Sequence, residues 1–235
     1  MALGRVVTLD AFGTLVELER PAPRLAAQLR ARGVQASEQQ AAAALREEMA
    51  YYLEHHDSGV DDVALALLRD RCAEVLGAGL RAAGVQLRGL PASELRAALL
   101  AALRFRPYDE VPGALAELRA AGHRLVVVSN WDVSLHEMLR ATGLDGLVDA
   151  AISSAEAGER KPAPGIFRRA LELAGGPDRG RPALHAGDSL ESDVAGALAA
   201  GLRSVLVARA GPPPRDVPAA VAIVRSLAEL PALAS

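Results

Sequence analysis

Apolar positions along the chain follow two different rhythms, and the change between them divides the sequence. The opening run, Arg5-Val-Val-Thr-Leu-Asp10, is β-branched and apolar and ends in a carboxylate followed by Gly13-Thr14. That pattern predicts a buried strand running into a tight turn. From Pro21 to Arg106 the rhythm is helical, in stretches 22–31, 37–54, 61–83 and 93–104. In the last of these Leu95, Leu99, Leu100 and Leu103 form one apolar face. Ser37 and Ser93 read as N-caps, and Gly33 and Gly84 as stops. After Pro107, helices and strands alternate. Strands are predicted at 124–129, 148–153, 182–186 and 203–207, and helices at 112–121, from Asp132 to before Gly143, at 164–174 and at 193–200. A Pro-rich connection, 211–218, precedes a last short helix near Ser226.

Strands alternating with helices of about ten residues indicate a parallel sheet covered on both faces. Such a sheet needs its first strand, so residues 1–15 must rejoin 108–235 in space. The predicted fold is therefore an α/β, Rossmann-like core with a parallel sheet of five or more strands. Residues 16–107 form an inserted, all-helical cap. In doubly wound sheets ligands bind beyond the carboxyl ends of the strands, where the strand order switches. Asp10, Ser129-Asn130 and Asp188 all fall at such ends.

Composition narrows the function. The 235 residues carry 26 basic and 29 acidic side chains, a formal charge of −3, which gives no basic surface for nucleic acid or anionic lipid. A lone Cys72 excludes an intrachain disulfide, and no apolar run reaches the length of a membrane span. The expectation is a soluble cytoplasmic protein, monomer or homodimer, acting on a small molecule. Every basic residue is Arg except Lys161, and Asn130 is the only Asn. A compact ammonium on a flexible stem is not interchangeable with guanidinium, so the surviving lysine points to a specific task.

Two acids supply the rest. Asp10 and Asp188 each follow an apolar strand, where a carboxylate is costly unless paired or bound to a cation. Acids from two strands, with water and backbone carbonyls between them, suit Mg²⁺, a hard cation that takes oxygen ligands. Asp193 alone reads as an N-cap. Lys161, in Gly158-Glu-Arg-Lys161-Pro162, lies in a loop at the same sheet edge. The Ser129 hydroxyl and nearby N–H groups could hold phosphate oxygens, or simply close a turn.

Taken in order, Asp10-Ala-Phe-Gly-Thr14-Leu15, Ser129-Asn130, Lys161-Pro162 and Gly187-Asp188 with Asp193 resemble the four motifs of the haloacid dehalogenase-like hydrolases. The insert after the first motif resembles their helical cap. The resemblance implies that Asp10 is a nucleophile forming an aspartyl-phosphate, with Lys161 neutralising charge and Thr14, Ser129 and Asn130 holding the phosphoryl group. It also implies Mg²⁺ on Asp10, Asp188 and the backbone carbonyl of Phe12, with Asp193 supporting the metal or Lys161. Cap movement would admit substrate and exclude water.

Phe12 departs from that pattern. Phosphatases of the family carry there a second Asp that protonates the leaving group, and losing a general acid costs about 10² to 10⁴ in rate. Three readings follow: a Mg²⁺-dependent phosphatase restricted to good leaving groups or using a substitute acid such as Asp132 or Glu17; a metal-independent 2-haloacid dehalogenase; or a non-catalytic binding protein. An aromatic at position 12 resembles the dehalogenases, whereas Asp188 favours the phosphatase. The histidines form no metal cluster by spacing. His55 and His56 end a cap helix, His185 reads as a satisfied core residue, and Trp131 either lines an entrance or packs.

Overall fold

The computed structural model of the protein describes residues 5–176, 182–212 and 214–234. Residues 1–4 of the expected core, 177–181, Pro213 of the expected Pro-rich connection and Ser235 lie outside them. The chain begins with β1 (Val6–Leu9) and β2 (Val16–Glu19). Four helices follow, α1 (Pro21–Ala31), α2 (Glu38–His55), α3 (Asp62–Ala82) and α4 (Ala92–Ala102), before β3 (Arg104–Pro107). Next come α5 (Val111–Ala120), β4 (Arg124–Ser129), α6 (Leu135–Ala141), β5 (Ala150–Ser153), α7 (Ser154–Ala157) and α8 (Pro164–Leu173). The chain closes with β6 (Leu184–Gly187), a π-helical turn (Leu190–Ala195), α9 (Gly196–Ala199), β7 (Arg203–Val207), β8 (Ala222–Val224) and α10 (Leu230–Ala234).

Contacts divide the chain into two compact units, one formed by residues up to Glu17 together with Arg106 onward, the other by Leu18–Phe105. In the first, six strands pair in parallel in the order β5-β4-β1-β6-β7-β8. β1 is central and every one of its residues is buried, which is why it reads as a continuous apolar run instead of an alternating one. Val126, Val128, Ile152, Ile166 and Phe167 pack on one side of this sheet, with Phe167 fully buried. β8 is a strand the sequence pattern does not signal; its three residues are too few to show a period.

The second unit is helical, with a core of Leu25, Leu29, Leu45, Leu68, Leu76, Leu80, Leu95 and Leu99. Ser37 caps α2 in a reciprocal capping box with Gln40, and Asp61 caps α3 by accepting from the Ala64 N–H at 2.8 Å. Gly33 and Gly84 stop their helices at φ 79° and 83°. An added Cβ at Gly79 would lie 2.9 Å from Ala44 Cα, so α2 and α3 approach as closely as backbones allow.

Several expected boundaries move. The N-cap position of α4 is Pro91, not Ser93, and Leu100 is exposed while Leu95 and Leu99 are buried. α6 begins three residues after Asp132, whose Oδ1 accepts from the Ser134 N–H at 2.7 Å and holds a preceding turn. The helix expected from Asp193 starts instead at Leu190, capped by Ser189, because the Asp193 carboxylate is engaged inside the site. The missed strands β2 and β3 pair as a two-stranded sheet where the chain leaves and re-enters the α/β unit. Among the described residues no helix is long and apolar enough to cross a membrane.

Candidate active site

Three adjacent strands, β4, β1 and β6, end side by side, and the residues at or just after their carboxyl ends are Ser129, Asp10 and Asp188. A parallel sheet delivers such groups to one edge because all its strands point the same way. Lys161 approaches from the loop before α8. Its Nζ lies 2.6 Å from Asp10 Oδ1 and 2.5 Å from Asp193 Oδ1, and all three residues are buried. Ser129 Oγ also donates to Asp10 Oδ1, at 3.1 Å. Two donors therefore hold one oxygen of Asp10, and no described donor reaches Oδ2.

Asp193 is fully engaged. Its Oδ1 accepts from Lys161 and, at 3.1 Å, from His185 Nε2, while Oδ2 accepts from the Ser189 N–H at 2.9 Å. Two glycines make room for the acids. A Cβ at Gly187 would lie 2.2 Å from Asp193 Cγ, and one at Gly13 would lie 2.2 Å from Asp188 Oδ2. Gly13 also sits at φ 84°, a left-handed conformation that favours glycine.

Electrostatics follow from these partners. Burial pushes Asp10 up, and the charge of Asp193 adds to this against the pull of Lys161. Burial also opposes the charge on Asp193, but Lys161 and the His185 hydrogen bond outweigh it and hold this carboxyl well below the usual range. Lys161 loses solvation too, yet its two carboxylates more than offset that and keep the ammonium charged. Asp188, with part of its side chain exposed, is pushed up to about 7 by desolvation of the carboxyl and by the charges of Asp10 and Asp193. Asp10, Asp188 and Asp193 each offer an oxygen within 4.8 Å of the others, a group able to hold a metal ion.

The remaining expected residues are distributed differently. Asn130 spends its carboxamide on Lys161 itself: Nδ2 donates to the Lys161 carbonyl at 3.0 Å, and Oδ1 accepts from the Lys161 N–H at 2.8 Å. Its side chain thus positions the lysine, where the sequence suggested a phosphate contact. Thr14 is fully buried, and its Oγ1 has no hydrogen-bond partner among the described residues. Phe12 forms an isolated bridge with Val16 and is 43% exposed. Neither substitute acid stands free: Glu17 is paired with Arg106, and Asp132 is buried with Oδ1 engaged. Trp131 is buried, its main chain bonded to Ser154, so it packs.

Two residues of this neighbourhood are not signalled by the sequence. His185 joins the acidic cluster through Asp193. Arg209, just beyond β7, donates from Nε to the Gly13 carbonyl at 3.1 Å and from Nη2 to the Thr14 carbonyl at 2.5 Å. Its Nη1 pairs with Glu110 at 2.6 Å, and its guanidinium lies 3.5 Å from the centroid of the Tyr108 ring. The strand register offers a clue to His185, which pairs with Thr8 two residues before Asp10. Among so many arginines nothing marks Arg209.

Comparisons with known proteins point one way. A model of the haloacid dehalogenase-like hydrolase family matches residues 5–201. The chain is 32% identical over 215 residues to haloacid dehalogenase-like hydrolase domain-containing protein 3 of Mus musculus, covering 88% of this chain and 83% of that one. It is 42% identical over 114 residues to the Bos taurus protein of the same name, spanning 46% of this chain but only 43% of that relative. Pyrimidine 5'-nucleotidase YjjG of Escherichia coli (strain K12) is 40% identical over 95 residues, 39% of this chain and 42% of that one. Among solved structures, a HAD phosphatase from Thermococcus onnurineus superposes with a TM-score of 0.65 at 24% identity, covering 97% of each chain. The L-2-haloacid dehalogenase RSc1362 gives 0.68 at 21% identity, over 99% of each chain. At these identities the two structures establish the fold without choosing between the chemistries.

Proposed function

The chain belongs to the haloacid dehalogenase-like hydrolases, and from that premise we propose that it is a Mg²⁺-dependent phosphatase of a small phosphorylated metabolite, acting through Asp10. The observation that carries this reading is the asymmetry at Asp10: Lys161 and Ser129 hold Oδ1, no donor among the described residues reaches Oδ2, and Asp188 and Asp193 each bring an oxygen within 4.8 Å of one of Asp10. The phosphatase names of relatives such as the nucleotidase above support the same choice. We read the helical unit Leu18–Phe105 as the inserted cap of this enzyme.

The residues fit a divalent cation. Three carboxylates face one ammonium, which leaves an excess of negative charge on hard oxygen donors. Asp10, Asp188 and the Phe12 carbonyl would hold the ion. Asp193, saturated by Lys161, His185 and Ser189, supports the lysine instead. Bound there, Mg²⁺ supplies charge neutralisation to the transferring phosphoryl group.

In this reading Asp10 Oδ2 attacks phosphorus, the bond to the ester oxygen breaks, and an aspartyl-phosphate forms. The Thr14 hydroxyl, without a partner among the described residues, serves as a donor to a phosphoryl oxygen, Ser129 turns its one proton from Asp10 Oδ1 to another as substrate binds, and Lys161 offsets their charge. Water then cleaves the phosphorus–Oδ2 bond and regenerates Asp10. No carboxyl stands at position 12 to protonate the departing oxygen, so aryl phosphates, with acidic leaving groups, are hydrolysed in preference to alkyl phosphates.

Dehalogenation is the second reading, favoured by the aromatic Phe12. Phosphate release from p-nitrophenyl phosphate and glycerol phosphate, and halide release from 2-chloropropionate, each with Mg²⁺ and with chelator, decide between them. The expected result is Mg²⁺-dependent hydrolysis of the aryl ester. Phe12→Asp should then raise alkyl-phosphatase activity by about 10² to 10⁴; chelator-resistant halide release would establish the other chemistry.

A further inference from the structure

His185 is fully buried in β6, yet both its ring nitrogens have polar partners. Nδ1 lies 2.9 Å from Thr8 Oγ1, and Nε2 lies 3.1 Å from Asp193 Oδ1. The edge of the ring packs against Phe167, with centroids 5.0 Å apart. An ionised carboxylate only accepts, so Nε2 carries the hydrogen directed at Asp193, and Nδ1 meets the Thr8 hydroxyl, which also lies 3.4 Å from the Leu184 carbonyl. Asp10 lies two residues after Thr8, one beyond the end of β1, where its N–H continues the ladder to the Ala186 carbonyl, and Thr8 is the register partner of His185. The contacts therefore close a ring: Thr8, His185, Asp193, Lys161, Asp10, and back along β1 to Thr8.

We propose that His185 is a positioning residue, which fixes Asp193 Oδ1 so that the Lys161 ammonium is held against Asp10. Asp193 lies in a π-helical turn, a wide geometry uncommon outside functional sites, and Lys161 reaches it on a flexible stem. Ser189 secures only the far oxygen of Asp193. Without His185, the oxygen that receives Lys161 has no second anchor and can swing with the ammonium. The inference rests on the phosphatase reading for its kinetic consequence, but the geometry of Lys161 can be measured without any turnover.

Because Lys161 is the only lysine of the chain, ¹⁵N-lysine labelling gives one ammonium signal in the NMR spectrum. That signal should be sharp in the native protein and persist in His185→Gln, whose amide N–H can replace Nε2. It should broaden beyond detection in His185→Phe, which keeps the ring packing but loses both hydrogen bonds. His185→Asn, which can satisfy Thr8 but falls short of Asp193, should behave like the Phe variant and carries the comparison if Phe fails to fold. On p-nitrophenyl phosphate, Phe and Asn variants should lose about 10- to 100-fold in kcat with KM little changed, and Gln should recover most of it. A native-like ammonium signal in the Asn or Phe variant, or equal kcat losses in Gln and Asn, overturns the proposal. Absence of phosphatase activity in the native protein sinks the phosphatase reading alone, and the ammonium signal still decides the role of His185.

Discussion

Each unit buries an acid almost completely, Asp193 in one and Glu48 in the other, and the two meet opposite fates. In the α/β unit Asp193 receives three hydrogen bonds and one full positive charge, and its carboxyl stays ionised despite burial. In the helical unit Glu48 is 3% exposed, with the Cys72 thiol as its hydrogen-bond partner, and burial pushes it up to about 7. A thiol is a weak donor and brings no charge, so it cannot replace lost hydration. Partners, more than depth, decide whether a buried acid is charged. Asp193 is thereby held charged beside Lys161, whereas Glu48, like Asp188 at the edge of the site, is pushed up by burial, and among the described residues no cation stands beside Glu48 to offset it.

The sharpest test of this contrast is Asp10→Asn, which should lower phosphatase activity by about 10⁴ or more while leaving the melting temperature near that of the native protein. Lys161→Met comes next. It strands Asp10 and Asp193 without their shared cation, and denaturant titration should show a loss of about 3 to 5 kcal/mol along with activity. The helical unit should respond to pH instead. Glu48 binds its proton more tightly folded than unfolded, so its contribution to stability is whole below the ordinary carboxyl value of 4.5 and is lost as pH rises through about 7. The difference is about 3 kcal/mol. Glu48→Gln should flatten this dependence in pH-resolved unfolding curves without altering kcat; a slope that persisted would place the proton elsewhere. The smallest effect is expected of Ser37→Ala, about 1 kcal/mol of stability from the lost cap, read by the same titration.

Much of this was legible in the chain. The β-branched runs mark β1, β4 and β7, because strands buried on both faces must be continuously apolar. Asp10, Ser129 and Asp188 could be named as candidates because a polar group at the end of a buried strand needs a reason, Lys161 because it is the one lysine of the chain, and Asp193 only through the resemblance. Their pairing came only as what the resemblance implies. That Asp193 faces Lys161 and does not cap a helix depends on a π-helical turn with no sequence period of its own. The part of Asn130 was hidden for a similar reason: its composition signal, a single Asn in a chain with a single Lys, was visible, but only the folded backbone shows that the two meet. His185 was read as a core residue, and burial alone gave that answer; its second neighbour lies on another strand.

The clamp at Arg209 ties the turn after Asp10 to a residue 196 positions downstream of Gly13. The stretch matched by the family ends at residue 201, short of both that arginine and β7. A fragment trimmed to the matched stretch would therefore keep every motif and still lose the strand beside β6, together with the guanidinium that steadies the Gly13 and Thr14 carbonyls. Truncation limits for this protein belong beyond β8, where the hydrogen bonding of the sheet ends.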